Sequence, residues 1–177
     1  MSNWDKKIQV MKGKLGEKIV ANYLIKIGWI PYRPHYDDGP HPFDMLCAKK
    51  DKSKLLISDT KTKPARIFYP DTGIDIKHYK DYRRISKRHN IDVFLFFVDE
   101  VKGLIYGGYL KKISKPCMIF HQGRTLHYPI RQNGIIYFPL KRMIRISKIP
   151  DSLVLELQKL SSRKEKYNQI YNQSSHN

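Results

Sequence analysis

The chain has 177 residues, of which 41% are hydrophobic, and 34 Lys and Arg against 16 Asp and Glu give it a formal net charge of +18. A chain of this length is expected to fold as one domain (1–177) that buries about 70% of its unfolded surface. No apolar run approaches the ~20 residues of a membrane-spanning helix, and the amino terminus has no apolar signal segment, so we expect a cytoplasmic protein. The only cysteines, Cys47 and Cys117, lack metal-ligand spacing, which indicates reduced thiols.

The excess of positive charge favours a polyanionic partner. Nucleic acid is the commonest such partner, because each neutralised phosphate releases condensed counterions. An acidic membrane surface is the electrostatic alternative, but the sequence contains no strongly basic amphipathic helix with an aromatic anchoring face. We therefore expect DNA or RNA, and no membrane, as the partner.

The first part of the chain predicts one long helix followed by strands. Apolar residues recur at intervals of three or four between residues 5 and 28, which is typical of a helix that ends at Gly28. Prolines interrupt a short strand at 30–36, and a loop rich in Pro, Asp, Gly and His follows at 35–42. Alternating apolar residues predict two strands, 43–48 and 55–61, that a polar turn joins as a hairpin.

A second helix and a buried strand complete this pattern. We expect a loop at 62–73 and then a helix at 74–89, with Thr72 or Asp75 as its cap. The continuous apolar run at 93–98 is typical of a central strand covered on both faces. The order helix, three strands, helix, strand predicts an α/β fold with a mixed central sheet and a right-handed, parallel last crossover.

The rest of the chain predicts a β-rich extension. Residues 104–146 contain short strands and turns, and Gly107-Gly108, Gln122-Gly123 and Asn133-Gly134 mark hairpins. After Pro150, Asp151 can cap a final helix that runs to residue 171, and residues 172–177 are expected to fray. The domain is thus expected to consist of a core at 8–99, the extension at 104–146 and a carboxyl-terminal helix at 151–171.

An acid separated from a lysine by one residue occurs four times, a number not far above chance for this composition. The position of each copy in the predicted fold must therefore decide which one could belong to a catalytic site. Two copies lie at helix starts, where acids are ordinary partners of the helix dipole, and a third, at Glu100, lies beyond a strand end. Only Asp59-Thr60-Lys61 closes a predicted strand.

The hairpin geometry places two carboxylates opposite each other. If the turn is centred on residues 51 and 52, Asp44 faces Asp59, and alternation puts Lys61 on the same face. Opposed carboxylates with Cβ atoms about 5 Å apart repel each other unless a cation or a shared proton lies between them. Mg²⁺ or Mn²⁺, with the carbonyl of Thr60 as a further ligand, fits that position. The alternative is an ordinary surface salt bridge in a hairpin.

A fourth acidic group is expected from the first helix. Glu17 interrupts an apolar face directly after Gly16 and one turn after Gly13, and the pattern indicates that both faces of this helix are buried. A buried carboxylate is costly unless it is paired, and the glycines would allow the helix to approach the sheet or a phosphate closely. The alternative is an ordinary partner for Lys14 or Lys18 on a solvated face.

These motifs resemble the PD-(D/E)xK nuclease superfamily, and within it the restriction-endonuclease-like and Holliday-junction-resolvase-like branch. The matching segments are Gly13-Lys14-Leu15-Gly16-Glu17, Pro42-Phe43-Asp44 and Asp59-Thr60-Lys61, in order along an αβββαβ core. The resemblance implies that Asp44 and Asp59 bind the metal, that Lys61 orients or activates the attacking water, and that Glu17 completes the acidic cluster. Two features depart from the family pattern: Asp59 stands where Glu is commoner, and the second helix lacks the Gln-x-x-x-Tyr of the exonuclease branch.

The second helix supplies a candidate surface for binding nucleic acid. One face carries a basic stripe that could follow a phosphate backbone, formed by Lys77, Lys80, Arg84, Lys87 and Arg88. His78 is a further candidate for a phosphate contact, and Lys63 and Arg66 lie in a basic and aromatic loop that leaves the proposed metal site. The alternative for the stripe is a solvated helix face. A separate cluster, His35, Asp37, Asp38 and His41, is interpreted as a solvated loop.

The leading hypothesis is a divalent-metal-dependent DNA endonuclease that recognises DNA structure, using Glu17, Asp44, Asp59 and Lys61 as its catalytic residues. The metal supplies a low-pKa water and offsets the charge of the transition state, and the lysine aids the nucleophile. Two alternatives remain open: a noncatalytic nucleic-acid-binding protein on the same fold, and a nuclease directed at RNA. A second copy of the chain is an additional candidate partner.

Overall fold

The structure is a computed structural model that describes residues 3–34 and 42–161, with side chains from residue 8 onward. The first half contains α1 (Asn3–Lys26), β1 (Trp29–Tyr32), β2 (Met45–Lys49), β3 (Leu55–Thr62), β4 (Asp71–Asp75), α2 (Ile76–His89) and β5 (Asp92–Asp99). The second half contains β6 (Leu104–Tyr109), α3 (Leu110–Ile113), β7 (Cys117–His121), β8 (Arg124–Tyr128), β9 (Ile130–Gln132), β10 (Ile135–Pro139), β11 (Ile144–Lys148) and α4 (Asp151–Lys159). No helix in the described ranges is long and apolar enough to cross a membrane.

The central sheet holds six strands in the order β1-β2-β3-β5-β6-β11. β3 and β5 run parallel, and the other neighbouring strands are antiparallel, which confirms the predicted mixed sheet and the parallel crossover through α2. The predicted hairpin register is also confirmed, because Leu46 pairs with Ile57 and Ala48 pairs with Leu55. This register matters for function, since a slip of one residue would turn Asp59 to the opposite face of the sheet.

Helices cover both faces of the central sheet, which explains the continuous apolar sequence of β5. α1 and α4 pack on one face, where the buried side chains include Val20, Leu24, Leu56, Phe96 and Leu157. α2 and α3 pack on the other face, where they include Ile57, Tyr79, Tyr82, Leu95 and Phe97. Neighbouring side chains of β3 and β5 therefore enter different cores, and residues 57, 59 and 61 share the face that carries α2.

The predicted extension at 104–146 is divided between sheets, because β6 and β11 join the central sheet and the remaining strands form two smaller sheets. β4, β10 and β9 make a three-stranded sheet in the order β4-β10-β9, and β7 and β8 form a separate hairpin. The turns Gln122-Gly123 and Asn133-Gly134 have positive φ at both residues, the conformation that a tight two-residue hairpin turn requires, so both predicted hairpins are confirmed. Because β10 pairs with β4, the extension is joined to the segment that leads into α2.

The structure corrects several of the predicted elements. Residues 71–75 form β4, so α2 begins at Ile76 instead of residue 74; the non-local partner β10, which local sequence does not reveal, holds this segment extended. The Gly107-Gly108 pair lies inside β6 and is not a turn. A Cβ at Gly107 would lie 2.5 Å from Phe94 Cε1, so close packing against β5 requires the glycine there. A short helix, α3, also interrupts the region that was expected to contain strands.

Two further expectations concern the helices at the ends of the chain. Both predicted apolar faces of α1 are buried in its second half, at Ile19 on one and at Val20 and Leu24 on the other, whereas Val10 and Met11 nearer its start are exposed. The described part of the final helix is Asp151–Lys159, and its predicted continuation to residue 171 lies outside the described residues. The expected loop cluster of His35, Asp37, Asp38 and His41, and the tail at 172–177, also lie outside them.

Candidate active site

The two aspartates and the lysine of the sequence motifs converge at the junction of β2 and β3. Asp59 lies on β3 with only 2% of its surface exposed, and Lys61 follows on the same face. Lys61 Nζ lies 2.9 Å from Asp59 Oδ2. Asp44 immediately precedes β2, and its Oδ2 accepts a hydrogen bond of 2.6 Å from the backbone N–H of Thr60. The hairpin register therefore brings both carboxylates to one end of the β2–β3 pair.

Tyr82 of α2 is a further member of this site, which the sequence analysis did not include. Its side chain is fully buried, and its hydroxyl donates a 2.5 Å hydrogen bond to Asp59 Oδ1. Lys61 Nζ lies 3.5 Å from the same hydroxyl oxygen. Burial and the neighbouring charge of Asp59 raise the pKa of Tyr82, so the phenol stays protonated and donates to Asp59. In the sequence, the one indication that Tyr82 could belong to the site was its position one helical turn after His78 on the buried side of α2.

The site carries more negative charge than its lysine balances. Burial and repulsion from Asp59 raise the pKa of Asp44 to about 7, even though the Thr60 N–H stabilises its ionised form. Burial acts to lower the pKa of Lys61, but the attraction of Asp59 and Asp44 outweighs it, and the pKa lies above its ordinary value. The lysine is thus held as a cation beside two carboxylates that disfavour each other.

Glu17 extends this acidic cluster from the direction of α1. Its side chain is half-buried, and burial raises the pKa of its carboxyl, with Asp59 adding to the rise and Arg33 opposing it. The helix approaches β3 closely at Gly16, where a Cβ would lie 1.8 Å from Thr62 Oγ1, whereas a Cβ at Gly13 would meet open space. One of the two glycines is thus required for the approach of helix to sheet.

The chemistry of these groups fits a hard divalent cation. Two carboxylates that repel each other in a partly buried site are the ligands that Mg²⁺ and Mn²⁺ prefer, and an added cation would relieve the repulsion that raises the pKa of Asp44. Apart from its ion pair with Lys61, Asp59 Oδ2 has no hydrogen-bond partner in the described part of the chain. However, no three His, Cys, Asp or Glu side chains among the described residues are grouped closely enough to hold one metal. The assignment of Asp44, Asp59, Thr60 and Glu17 as metal ligands stays a prediction.

The predicted nucleic-acid-binding residues occupy two different environments. The stripe of α2 is exposed along its whole length, at Lys77, Lys80, Arg84, Lys87 and Arg88. Arg84 also pairs with Asp81 one turn earlier. Lys80, Arg83, Arg84 and Lys87 line a groove of about 460 Å³ together with Arg131 of β9, which the sequence did not associate with them.

The loop residues that were grouped with this stripe are more enclosed. Arg66 makes two contacts with the buried Asp71, 2.6 Å from Nε to Oδ1 and 2.7 Å from Nη2 to Oδ2, and its guanidinium lies over the rings of Tyr69 and Tyr137. Lys63 is half-buried at the end of β3, where burial lowers its pKa. The structure thus places Arg66 in a contact that holds the loop and leaves the exposed stripe as the open cationic surface.

His78 links the stripe to the aspartates. It is half-buried in the first turn of α2, its ring is stacked on that of Tyr82 with centroids 6.0 Å apart, and Nδ1 lies 3.6 Å from Asp75 Oδ2. It therefore lies next to Tyr82, the residue that donates to Asp59.

A second acid–lysine pair, which the sequence did not indicate, lies on the opposite side of the sheet. Lys12 Nζ of α1 lies 2.6 Å from Glu100 Oε1, just after β5, and the two side chains are 3% and 0% exposed. Ser161 Oγ contacts the same oxygen at 3.3 Å. Burial raises the pKa of Glu100, although Lys12 opposes the rise. This pair is buried where α1 and the end of α4 meet, so we assign it no part in the site.

Comparison with known proteins supports the fold. The structure is similar to a Holliday junction resolvase, Hjc, from the archaeal hyperthermophile Archaeoglobus fulgidus, with a TM-score of 0.53 and 9% sequence identity. The match covers 80% of this chain and 99% of the other. No protein-family model matches the sequence, and a search of curated proteins finds no match. The chain therefore has a mixed α/β fold consistent with that of a nuclease, and its activity has to be argued from its own site.

Proposed function

We propose that this protein is a divalent-metal-dependent endonuclease that hydrolyses phosphodiester bonds in DNA and recognises the structure of its substrate. The observation that carries the proposal is the grouping of Asp44, Asp59 and Lys61 at one end of the β2–β3 pair, with an excess of negative charge. The net charge of +18 and the exposed stripe of α2 support a polyanionic substrate. The fold supports the same activity, since the similar archaeal protein is a Holliday junction resolvase.

In this proposal each side chain has a separate task. Asp44 and Asp59, aided by the Thr60 carbonyl and by Glu17, would hold Mg²⁺ or Mn²⁺, which when bound supplies a water of lowered pKa and offsets charge on the phosphate. Lys61 would place its ammonium group beside the scissile phosphate or the attacking water. Tyr82 fixes the orientation of Asp59 through its hydrogen bond. The stripe of α2 would hold the phosphate backbone while the bond is cut.

One observation favours a second candidate, a nucleic-acid-binding protein without catalytic activity. Tyr82 and Lys61 already engage both oxygens of Asp59, and the described residues contain no group of three acidic, His or Cys ligands. A chain of this kind would retain DNA through the basic stripe but would cut no substrate. The two candidates therefore differ in cleavage and agree in binding.

Cleavage assays on linear, nicked and branched DNA, with matched RNA, test the proposal. Wild-type protein should cut at least one DNA substrate with Mg²⁺ or Mn²⁺ and none with EDTA. Asp59→Asn should abolish cutting, because it removes an anionic ligand, while Asp92→Asn, at a surface ion pair with Lys111, serves as the matched control. Cleavage that persists in EDTA or in Asp59→Asn would disprove the proposal. Cutting of RNA alone would support the RNA-directed alternative.

A binding assay tests the stripe separately. Lys80→Ala combined with Arg84→Ala should weaken DNA affinity across sequences and reduce the slope of log affinity against log salt by about 2, because each lost phosphate contact removes close to one released counterion. The tightness of Mg²⁺ binding should not change. A wild-type salt slope in the double variant would show that this face is only solvated and that another surface holds the DNA.

A further inference from the structure

The extension and the few residues on either side of it have an unusual distribution of charge. Residues 101–150 contain ten Lys or Arg and no Asp or Glu, so more than half of the net charge of +18 arises from this one continuous segment. All sixteen acids of the chain lie outside it. A segment with this charge is attracted to a polyanion along its whole length, and it repels a second copy of itself.

Within this segment the β7–β8 hairpin has one anchored face and one open face. Cys117, Ile119, Leu126 and Tyr128 alternate on the inner face, and the buried Tyr128 hydroxyl donates a 2.7 Å hydrogen bond to Asp71 Oδ2. On the outer face Met118 is 69% exposed and Phe120 is 75% exposed. Phe120 is the most exposed of the large hydrophobic side chains described, and it lies on an element that is held in place at its base.

The hairpin lies beside α2 at its start and beside the 64–70 loop at its tip. Lys115 and Pro116, at its start, line a cleft of about 460 Å³ together with Arg83 and Lys87 of α2. Its tip, at His121 and Gln122, lines a larger cleft of about 820 Å³ together with the 64–70 loop that follows β3. A nucleic acid that follows the stripe of α2 would therefore run alongside the hairpin.

The composition of the outer face decides between possible occupants. Met118 pairs across the hairpin with His127, and Phe120 pairs with Thr125, so the apolar part consists of two side chains with polar partners, and Arg124 follows in the next pair. Two side chains fall far short of the roughly 800 Å² that each partner of a stable protein interface buries. An exposed, flat aromatic ring on a segment rich in cations suits an unpaired base, whose ring stacks on the aromatic side chain while its phosphate meets Lys or Arg.

We propose that the β7–β8 hairpin is a second nucleic-acid contact, in which Phe120 stacks on an unpaired base next to the duplex that α2 holds. Met118 extends the same apolar surface, and the acid-free segment around it holds the phosphates. This inference rests on the proposed function and specifies its substrate: DNA with unpaired bases at a branch, gap or flap.

A binding experiment in EDTA isolates this contact from cleavage. The probes are a fully paired duplex and the same duplex with a three-nucleotide gap, in which one unpaired base is 2-aminopurine, whose fluorescence reports stacking. Wild-type protein should bind the gapped probe more tightly and change its fluorescence. Phe120→Ala should weaken binding to the gapped probe by about 10-fold, within the range for the loss of one base–aromatic stack, and should leave duplex affinity within about 2-fold.

Matched variants separate stacking from general apolar contact. Phe120→Trp should keep the preference and the fluorescence change, whereas Phe120→Leu, which keeps the apolar surface but has no ring face, should lose most of both. Leu155→Ala, at an exposed apolar residue on α4, should behave as wild type and serves as the control. Thermal unfolding of each variant shows whether it is folded.

Several outcomes would overturn the inference. Wild-type affinity of Phe120→Ala for the gapped probe would show that the ring touches no base. An equal loss of affinity for gapped and paired probes would indicate a general role, and sedimentation that shows self-association through Phe120 would make the hairpin a protein interface. Cleavage assays keep the two proposals apart: if wild type cuts DNA and Phe120→Ala keeps its binding, only this inference fails. If no substrate is cut but the gapped probe is bound as expected, only the endonuclease proposal fails.

Discussion

Two acid–lysine pairs lie on opposite faces of the same sheet, and they differ in what surrounds them. Lys12 and Glu100 are sealed between α1 and α4, with almost no exposed surface. Lys61 and Asp59 lie on the α2 face, where 23% of the lysine side chain is exposed and a second carboxylate, Asp44, lies close enough to perturb the pair. The contact distances are similar, at 2.6 Å and 2.9 Å.

An ion pair by itself therefore does not identify a functional site. The Lys12–Glu100 pair joins α1 to the end of β5. Its role is in the stability of the fold, because the removal of one partner would leave the other as an unpaired buried charge. The Asp59–Lys61 pair has surplus negative charge, solvent access and a hydrogen-bonding tyrosine behind it. Excess negative charge that solvent can reach is able to bind a metal ion, and the bound metal can in turn contact a phosphate.

The largest expected effect is on stability at the sealed pair. Lys12→Ala should lower the free energy of unfolding by about 3–5 kcal/mol, since it leaves Glu100 buried without its cation. Because burial already raises the pKa of Glu100, the variant's deficit should be smaller in acid, where the carboxyl is protonated, than at neutral pH. Urea unfolding measures both. A double variant, Lys12→Met with Glu100→Gln, should recover most of the stability, and a loss below about 1 kcal/mol in Lys12→Ala would contradict the buried pairing.

Removal of the lysine from the solvent-accessible pair of Asp59 and Lys61, the open pair, should lower turnover instead of stability. Lys61→Ala should reduce the rate of DNA cleavage by about 100-fold or more, the usual scale for a positioned electrostatic or proton-transfer group. Mg²⁺ should still bind, because both carboxylates remain. Single-turnover cleavage and Mg²⁺ titration measure the two properties independently. If Lys61→Ala cuts DNA at the wild-type rate, the lysine has only a structural role, like Lys12.

The raised pKa of Asp44 predicts how the metal-free protein responds to pH. The folded protein takes up this proton near pH 7 and the unfolded chain only near pH 4, so the folded state binds more protons between these values. The free energy of unfolding should therefore fall by about 2 kcal/mol as the pH rises through this window, and it should level off at higher pH. A three-unit shift sets an upper limit of about 4 kcal/mol for this fall. Asp44→Asn, measured by urea unfolding in EDTA, should flatten this decline. An unchanged slope in the variant would show that Asp44 is ionised normally.

The smallest expected effect is the stabilisation by metal, which should occur at the open pair alone. Mg²⁺ at ten times its dissociation constant should stabilise the folded protein by about 1.4 kcal/mol. For a domain of this size that corresponds to a rise in melting temperature of about 3–6 °C. Asp44→Asn and Asp59→Asn should reduce the rise, and the control Asp92→Asn should retain it. Equal shifts in all four proteins would place the cation elsewhere.

Much of the fold and part of the site follow from local sequence. The period-two pattern of 43–48 and 55–61, together with the polar turn between them, predicts the hairpin register, which the pairing of Leu46 with Ile57 confirms. That register brings Asp44 near Asp59, because alternation is a property of the strand backbone itself. The apolar run at 93–98 likewise indicates a strand covered on both faces, since a strand with one solvated face would alternate.

Tertiary structure decided the contacts between residues far apart in the chain. The hydrogen bond from Tyr82 to Asp59 spans 23 positions, the pairing of Lys12 with Glu100 spans 88, and β4 is a strand because β10 lies beside it. Arg66 was grouped with the nucleic-acid-binding residues by its sequence neighbours, but its contact with Asp71 depends on how the loop packs. Periodicity records which way a side chain points along its own element; which partner it meets there depends on how the helices and sheets pack together, and no local pattern contains that information.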